Sequence, residues 1–505
     1  MDDALKVWIS PTAKGRTPGQ AARFAWQNTL DDGAILLICN RLEQERDGCR
    51  RARVLLLKSA GSFVARVFCT HRVMQGQFNS FQKTMLQWND MHAYNGVHVV
   101  RIAGGLDAQR LTSVVNCLLE QQGLTNLTFS HKRGTFHYAG GDGRLIINVL
   151  ASGPEGPADL ATEAERQLNI AFNTSEVFSP FRFFALPEER SFLLGLVYFH
   201  AVADAESIVL LLKELVRAYS GASVNEQLEP LDLYPRRRDN LLLHHPQVLA
   251  KRLVRLPAHV RMLRSSFRAR YQDAGNMNNG LKFFSIGREE LRSLIVTSKD
   301  WGVTVNDLLL ALLMKTLAPL ASDRAKTSRR KMLSLGCIVN IRKDLRGDGQ
   351  RTFGLFLGSF MVTHDVPDGI SLNHLAGDLR DQTLAIKRHR LYLGTPLELS
   401  FGRLMISFFS PERRKKFYQK NYPLWGGITN MNLNSIWPMD EDATAKDYFR
   451  AVSTGPVTPL VLAATTVGDH ANIGLTYRTT VFSDAVIGQV TCSFLETLKK
   501  LSGGA

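Results

Sequence analysis

The chain is 505 residues long, 45% hydrophobic and 21% charged, a composition that can bury a sizeable core and should divide into at least two domains. No apolar run approaches the roughly 20 residues that a membrane span needs, and the opening MDDALK lacks the basic and apolar regions of a secretory signal. Spanning and exported classes are therefore set aside, and a cytoplasmic protein is expected. A net charge of +16 and a pI near 9.7 imply acidic partners, while six cysteines (Cys39, Cys49, Cys69, Cys117, Cys337 and Cys492) show neither CxxC nor metal-ligand spacing, as expected of reduced thiols with no metal site.

In chain order, the first strongly patterned element is the apolar run Phe192 to Phe199, short and nearly continuous, as for a strand buried on both faces. After Asp204 the period becomes helical, with Ile208, Leu211, Leu212, Leu215 and Tyr219 on one face. Asp204 is placed to accept hydrogen bonds from free N–H groups at the helix start, which sets His200 at the carboxyl end of a strand, where open α/β sheets present ligands. An isolated HxxxD is more often a capping aspartate beside a satisfied histidine, so five residues prove little. Next comes a basic stretch, Arg236-Arg237-Arg238 followed by Lys251, Arg252, Arg255, Arg261, Arg264, Arg268 and Arg270, interleaved with Leu249, Leu253, Leu256, Val260, Leu263 and Phe267. His244-His245 within it is followed by Pro246 and has no aspartate at the HxxxD distance. Asp273 to Leu281, DAGNMNNGL, has the Gly/Asn character of a connector. Thr304 to Leu317 reads as a capped amphipathic helix and Phe353 to Val362 as a core strand, and a second basic cluster, Arg413 to Lys416, runs into Phe417 and Tyr418.

From Gln77 to Leu501, segments in a particular order resemble the CoA-dependent acyltransferase superfamily: non-ribosomal peptide condensation domains, chloramphenicol acetyltransferase, plant-type HxxxDG acyltransferases, and wax ester or diacylglycerol synthases. Phe81 to Leu111 resembles the opening strand and helix, with a Gly-Leu-Asp turn at Gly105 to Asp107; LVYFHAVAD carries the HxxxD element; TVNDLLLALLMKTL resembles the helix that starts the second half. CIVNIRKDLR (Cys337 to Arg346) and FGLFLGSFMV are similar to paired strands with an Asn-hydrophobic-Arg element, GGITNMNLNSIW (Gly426 to Trp437) to a Ser/Thr-Asn strand, and Gly455 to Tyr477 to the closing strands. No piece is specific singly; order and spacing carry the inference. Two positions depart from the pattern. Phe199 stands where many members have a first histidine, and Ala205 stands where glycine is usual, which predicts a differently turned loop or strain of roughly 1 kcal/mol. The plant-type DFGWG element is absent, which places the chain nearer the condensation or bacterial lipid-type branches.

The resemblance implies an α/β fold of two chloramphenicol-acetyltransferase-like halves arranged as a pseudo-dimer with a central substrate tunnel. The expected divisions are an N-terminal extension at 1–76, an HxxxD half at 77–275 and a second half at 276–505. The extension is expected to be an appendage without catalytic residues, or the product of an upstream start with Met74 opening the resembling domain. The implied function is acyl transfer from a thioester to a hydroxyl or amine, in lipid, glycolipid or natural-product biosynthesis, with His200 as general base. A histidine suits that task because its ordinary pKa of about 6.5 leaves it largely neutral yet basic. No GxSxG elbow or activated thiol is found, and a covalent intermediate is not required. By resemblance Asp204 is structural and pairs with an arginine, for which Arg342 is the candidate and Arg346 the fallback; Asn430 and Thr429 are candidates for oxyanion or substrate contact. No tightly bound cofactor is expected, acyl-CoA or the phosphopantetheine thioester of an acyl carrier protein serving as co-substrate. The basic stretches suit an anionic membrane surface at the inner face, an acidic carrier protein or CoA phosphates, or simply a solvated helix face; nucleic acid is disfavoured because no recognition motif accompanies the charge. The alternative class is a catalytically inactive condensation-like module that binds a carrier protein or membrane lipid, a reading motivated by Ala205.

Overall fold

The apolar run around Val197 folds as a strand, Ser191–Phe199, and from Phe192 onward every residue of it is buried. It is interior to a five-stranded sheet whose order is Ile147–Val149, Phe181–Pro187, Ser191–Phe199, Asn95–Ala103, Ala445–Val452. Both of its neighbours run antiparallel, with Phe184 opposite Gly195 on one side and His98 opposite Leu196 on the other. Gly195 is needed for that register: a Cβ there would lie 2.1 Å from the Phe184 ring. Helices Leu160–Asn169 and Ala205–Ser220 pack against the strand Asn95–Ala103, and Ala108–Gln121 packs on Ala205–Ser220. The expected helical face is the buried one, Ile208, Leu211, Leu212, Leu215 and Tyr219 all lying in the core.

The computed structural model describes residues 74–502 apart from 131–132, 151–158, 222–231, 234–245, 345–351 and 440–443, and before residue 74 the backbone of strands between Leu30 and Phe68. The chain divides into two units, Met1–Val73 and Met74–Ala505. In the first, Leu37–Glu45, Gly48–Ser59 and Ser62–Phe68 form an antiparallel three-stranded sheet. The second begins with the strand Met74–Gln77, paired with Thr135–Tyr138.

The later part of the second unit is built on a six-stranded sheet, ordered Asn279–Ile286, His470–Arg478, Leu460–Val467, Gly426–Asn432, Leu333–Asn340, Leu357–His364. Leu333–Asn340 and Leu357–His364 pair antiparallel, Leu335 opposite Val362, and Gly426–Asn432 lies parallel between Leu333–Asn340 and Leu460–Val467. Helix Val305–Leu317 starts at a reciprocal cap, Thr304 with Asp307. It is not half-exposed as its pattern predicts: Leu308 through Met314 are all buried, so it is a central core helix. Each large sheet has its own apolar cluster. The architecture is α/β, as expected, and the two large sheets interleave in sequence: Ala445–Val452, which lies between Gly426–Asn432 and Leu460–Val467 of the six-stranded sheet along the chain, forms an edge of the His200 sheet. The Gly/Asn-rich connector ends in a tightly held residue, Asn279, whose backbone exchanges hydrogen bonds with Asn169 and whose side chain accepts from Thr454.

Candidate functional site

His200 opens a short loop that leads from the strand into helix Ala205–Ser220, and the loop is fixed from several directions. The His200 N–H donates to the Tyr94 carbonyl at 3.2 Å, the Gln82 side chain donates to the Ala201 carbonyl at 2.8 Å, and the Asp204 N–H donates to the Gly354 carbonyl at 2.9 Å. Asp204 then caps the helix, accepting from the Ser207 N–H at 2.9 Å. Ala205 is the first residue of that helix and is not among the described residues with positive φ. Of the two outcomes expected at this position, a differently turned loop or strain, the strain is absent, because the cap geometry of Asp204 puts residue 205 in ordinary helical backbone, which alanine favours.

The Asp204 carboxylate turns away from the imidazole into a buried arginine. Arg342 Nη1 and Nη2 donate to Oδ2 and Oδ1 at 2.6 and 2.9 Å, a bidentate pair in which both residues are almost wholly buried. The Ser207 N–H and hydroxyl and the Phe356 N–H, each at 2.9 Å, supply three further donors. Arg342 is itself held by the Ser207 hydroxyl, the Thr352 carbonyl and the face of Phe356, 4.2 Å from its guanidinium carbon. Asn340, two residues earlier, accepts from the Arg342 N–H and donates to Glu206. The structure thus brings Asp204 and Arg342 together as expected; Arg346, the fallback, lies outside the described residues, as do Arg236 to Arg238 and His244-His245.

His200 is 8% exposed, its ring stacked on Tyr94 with centroids 5.3 Å apart and edge-on to Tyr198 at 5.4 Å. Its Nδ1 lies 3.0 Å from the Ala203 carbonyl, which can only accept, so the neutral ring carries its proton on Nδ1 and presents a bare lone pair at Nε2. Nε2 has no hydrogen-bond partner among the described residues. Burial lowers the His200 pKa below 6.5, opposed by the Ala203 carbonyl and the Asp204 charge and reinforced by Arg450. The lowered pKa favours the neutral ring, the form able to accept a proton.

Phe199 points elsewhere: it is buried in an aromatic cluster with Phe129, Phe172 and Phe178. Thr429, on Gly426–Asn432, is half-buried and engaged by Arg450, which reaches its hydroxyl at 3.2 Å and its carbonyl at 2.9 Å, while Asn430 is exposed on the same strand. Arg450 also donates to the Ala464 carbonyl and the Thr465 hydroxyl. It is a buried guanidinium held by neutral acceptors, with its pKa brought down by desolvation to about 10.

No protein-family model matches this chain, and no curated protein does. Solved structures do. The condensation domain of the monacolin K polyketide synthase MokA superposes with a TM-score of 0.62 at 12% identity, over 85% of this chain and 98% of that one. The starter condensation domain of the rhizomide synthetase RzmA, solved as a variant with C8-CoA, gives 0.63 at 12% over 86% and 96%. The trichothecene 15-O-acetyltransferase TRI3 of Fusarium sporotrichioides gives 0.63 at 12% over 85% and 96%. The chain has the condensation-domain fold. At these identities the likeness is one of architecture, and the chemistry must be argued from this chain's own side chains.

Within the condensation-domain fold, the sequence reading missed Tyr94, Tyr198 and Arg450. Tyr94 follows helix Ser80–Asn89 by five residues and has no distinguishing neighbourhood in sequence; only folding lays it on His200. Arg450 resembles any exposed strand-edge arginine, since no acid at a fixed spacing marks it as buried. Among the described residues no group of three or more His, Cys, Asp or Glu is placed to hold a metal ion. Cys337 is buried, which raises its thiol to about 11 and makes it a poor nucleophile, and Cys117 and Cys492 are exposed free thiols. A cavity of about 350 Å³, lined by Pro246, Gln247, Val248, Lys251, Arg388, His389 and Arg390, has a cationic wall.

Proposed function

We propose that this protein is an acyltransferase that moves an acyl group from a thioester donor, acyl-CoA or an acyl carrier protein, to a hydroxyl or amine acceptor, with His200 as general base. One observation carries the reading: the Nδ1–H bond to the Ala203 carbonyl leaves the Nε2 lone pair of a buried, neutral histidine free, on a loop locked by the Asp204–Arg342 pair. Nε2 takes the proton of the acceptor O–H or N–H as that atom attacks the thioester carbonyl. The tetrahedral intermediate collapses with cleavage of the C–S bond, and the imidazolium returns its proton to the departing thiolate. Products are an ester or amide and a free thiol, with His200 restored. The Ala203 carbonyl stabilises the transient imidazolium through Nδ1–H, while Asp204, saturated by Arg342, Ser207 and Phe356, positions the loop and takes no proton.

The oxyanion is assigned to the Thr429–Asn430 segment, which Arg450 ties to the His200 sheet. The cationic cavity at Lys251, Arg388 and Arg390 suits the phosphates of either donor. The shared fold with a domain solved with C8-CoA and with an O-acetyltransferase supports the class of reaction. Ala205, which motivated the inactive-module alternative, sits at a helix start without positive φ, so its backbone gives no reason against catalysis.

The test compares lipid and metabolite extracts, by untargeted mass spectrometry, from host cells carrying wild type, His200→Ala or no copy. A species made only with wild type, heavier than a precursor by a carboxylic acid less water, identifies both substrates. With the purified protein, His200→Ala should slow thiol release by about 10² to 10⁴-fold. Full product formation by His200→Ala ends the proposal.

A further inference from the structure

Helix Thr395–Ser407 has two apolar faces, and the fold uses one. Thr395, Gly402 and Ile406 are buried and Leu399 packs against the core. On the opposite side Leu397, Phe401, Leu404, Met405 and the capping Phe408 stand 41, 66, 57, 38 and 77% exposed. These positions recur at i, i+4, i+7, i+8 and i+11, so they form one continuous stripe along about three turns. Single exposed apolar side chains are ordinary on any protein; five large ones in register, two of them phenylalanines, mark a contact surface.

The surroundings of the stripe give its partner's chemistry. Helix Pro411–Asn421 follows after a short turn and bears exposed Arg413, Lys416 and Lys420. At the other end Glu398 is taken up by Arg252, with His259 also within 4.0 Å, so the acid next to the stripe is neutralised. The stripe positions themselves carry no hydrogen-bonding side chain. A protein partner ordinarily supplies about one hydrogen bond per 100–200 Å² of interface, whereas a bilayer asks only for apolar area and cations at its rim. A second copy of the chain would bring two bodies of net charge +16 together.

We propose that this face seats on an anionic lipid bilayer, with Leu397, Phe401, Leu404, Met405 and Phe408 in the acyl boundary and Arg413, Lys416 and Lys420 against headgroup phosphates. The inference stands apart from the His200 chemistry and does not depend on it. It also gives the expected peripheral membrane contact a location that the basic runs alone did not mark, since the apolar half of the site is a helix whose sequence, TPLELSFGRLMIS, contains one arginine.

Co-flotation of the full-length protein with vesicles tests it. Vesicles of phosphatidylcholine with about one-third phosphatidylglycerol should carry the protein, pure phosphatidylcholine should not, and binding should weaken as salt rises well above about 0.15 M. Phe401→Ser with Phe408→Ser should lower the partition coefficient by about tenfold to a hundredfold. Arg413→Glu with Lys416→Glu should abolish the preference for anionic lipid. All four positions are exposed, and an unchanged thermal melt verifies the fold. As a direct readout, Phe401→Trp should shift its emission to the blue on anionic vesicles. Wild type that stays with the aqueous fraction, or a Phe401/Phe408 variant that floats as well as wild type, overturns the proposal. In that event, self-association that the phenylalanine variants abolish assigns the face to a second copy, and capture by an immobilised acidic carrier protein assigns it to that class of partner.

Discussion

Arg342→Met tests the lock beneath the His200 loop. The substitution roughly conserves the aliphatic stem but removes both prongs from the Asp204 carboxylate and the donors to the Ser207 hydroxyl and Thr352 carbonyl. Breaking a buried ion pair from one side costs about 3–5 kcal/mol, because a charge is left without its counter-ion. Asp204 retains the Ser207 N–H, the Ser207 hydroxyl and the Phe356 N–H, neutral donors that contribute about 1 kcal/mol each. The lower end, about 3 kcal/mol, is therefore expected. Urea unfolding should show it as a lower midpoint at unchanged slope. Asp204→Asn removes the charge that Arg342 neutralises, so the double variant should be less destabilised than the sum of the singles by about 2 kcal/mol. Arg342→Lys, which offers a point charge in place of a fork, should recover less than half of the loss. Because the same loop carries His200, kcat should fall by about 10²-fold in Arg342→Met with KM moving less. Unchanged stability within about 0.5 kcal/mol, or strictly additive singles, would refute the argument that Asp204 and Arg342 form one energetic unit.

Four other expectations follow from the geometry. His200 and His98 are both buried with pKa values below the usual 6.5, desolvation being the main cause in each; the unfolded chain then binds protons first, so stability is present above about pH 6.5 and falls as pH drops toward the folded values. His98→Phe should flatten that slope in thermal melts, and a slope unaffected by the variant would remove His98 from the account. His470 works in the opposite sense, its pKa raised by a bond to Asp447 that weakens as pH climbs through it, and at 31% exposure its effect should be small. Gly195→Ala would drive a Cβ into the Phe184 ring at 2.1 Å and should cost about 3 kcal/mol, partly restored by Phe184→Leu; an alanine variant as stable as wild type would show that the register can slide. Arg450→Met removes a cation that helps to lower the His200 pKa after desolvation, so the acid limb of the activity profile should move to higher pH. An unmoved limb would mean that Arg450 only braces Thr429.

The HxxxD element was legible because its parts are local: a strand, a five-residue loop and a capped helix are written within Phe192 to Tyr219, and hydrophobic period locates each. The Asp204–Arg342 pair needed the order of distant segments, since 138 positions separate the two residues. Ala205 left two outcomes open, a differently turned loop or strain, and the cap decides between them: substitution at a usual glycine strains the chain only if the backbone there is left-handed, and the Asp204 cap makes it helical. The exposed face of Thr395–Ser407 stayed hidden because period shows which residues share a face and not whether that face is covered. Arg450 stayed hidden because its partners are carbonyls and hydroxyls on strands of the other sheet, which carry no charge pattern to read.

The edge strand Ala445–Val452 sets the order in which this protein can mature. His98 meets Tyr448 across 350 positions, so on a ribosome adding about 5–20 residues per second the strand Asn95–Ala103 waits on the order of 20–70 s for that neighbour. Until then a row of unpaired backbone groups next to an apolar core lies open to pairing with another nascent chain. The sheet that bears His200 is complete only once Ala445–Val452 has emerged, which makes the residues before the connector a poor candidate for separate expression. Truncations that end before Ala445 should accumulate as aggregates, and supplying Ala445–Val452 in trans as part of a C-terminal fragment should rescue them.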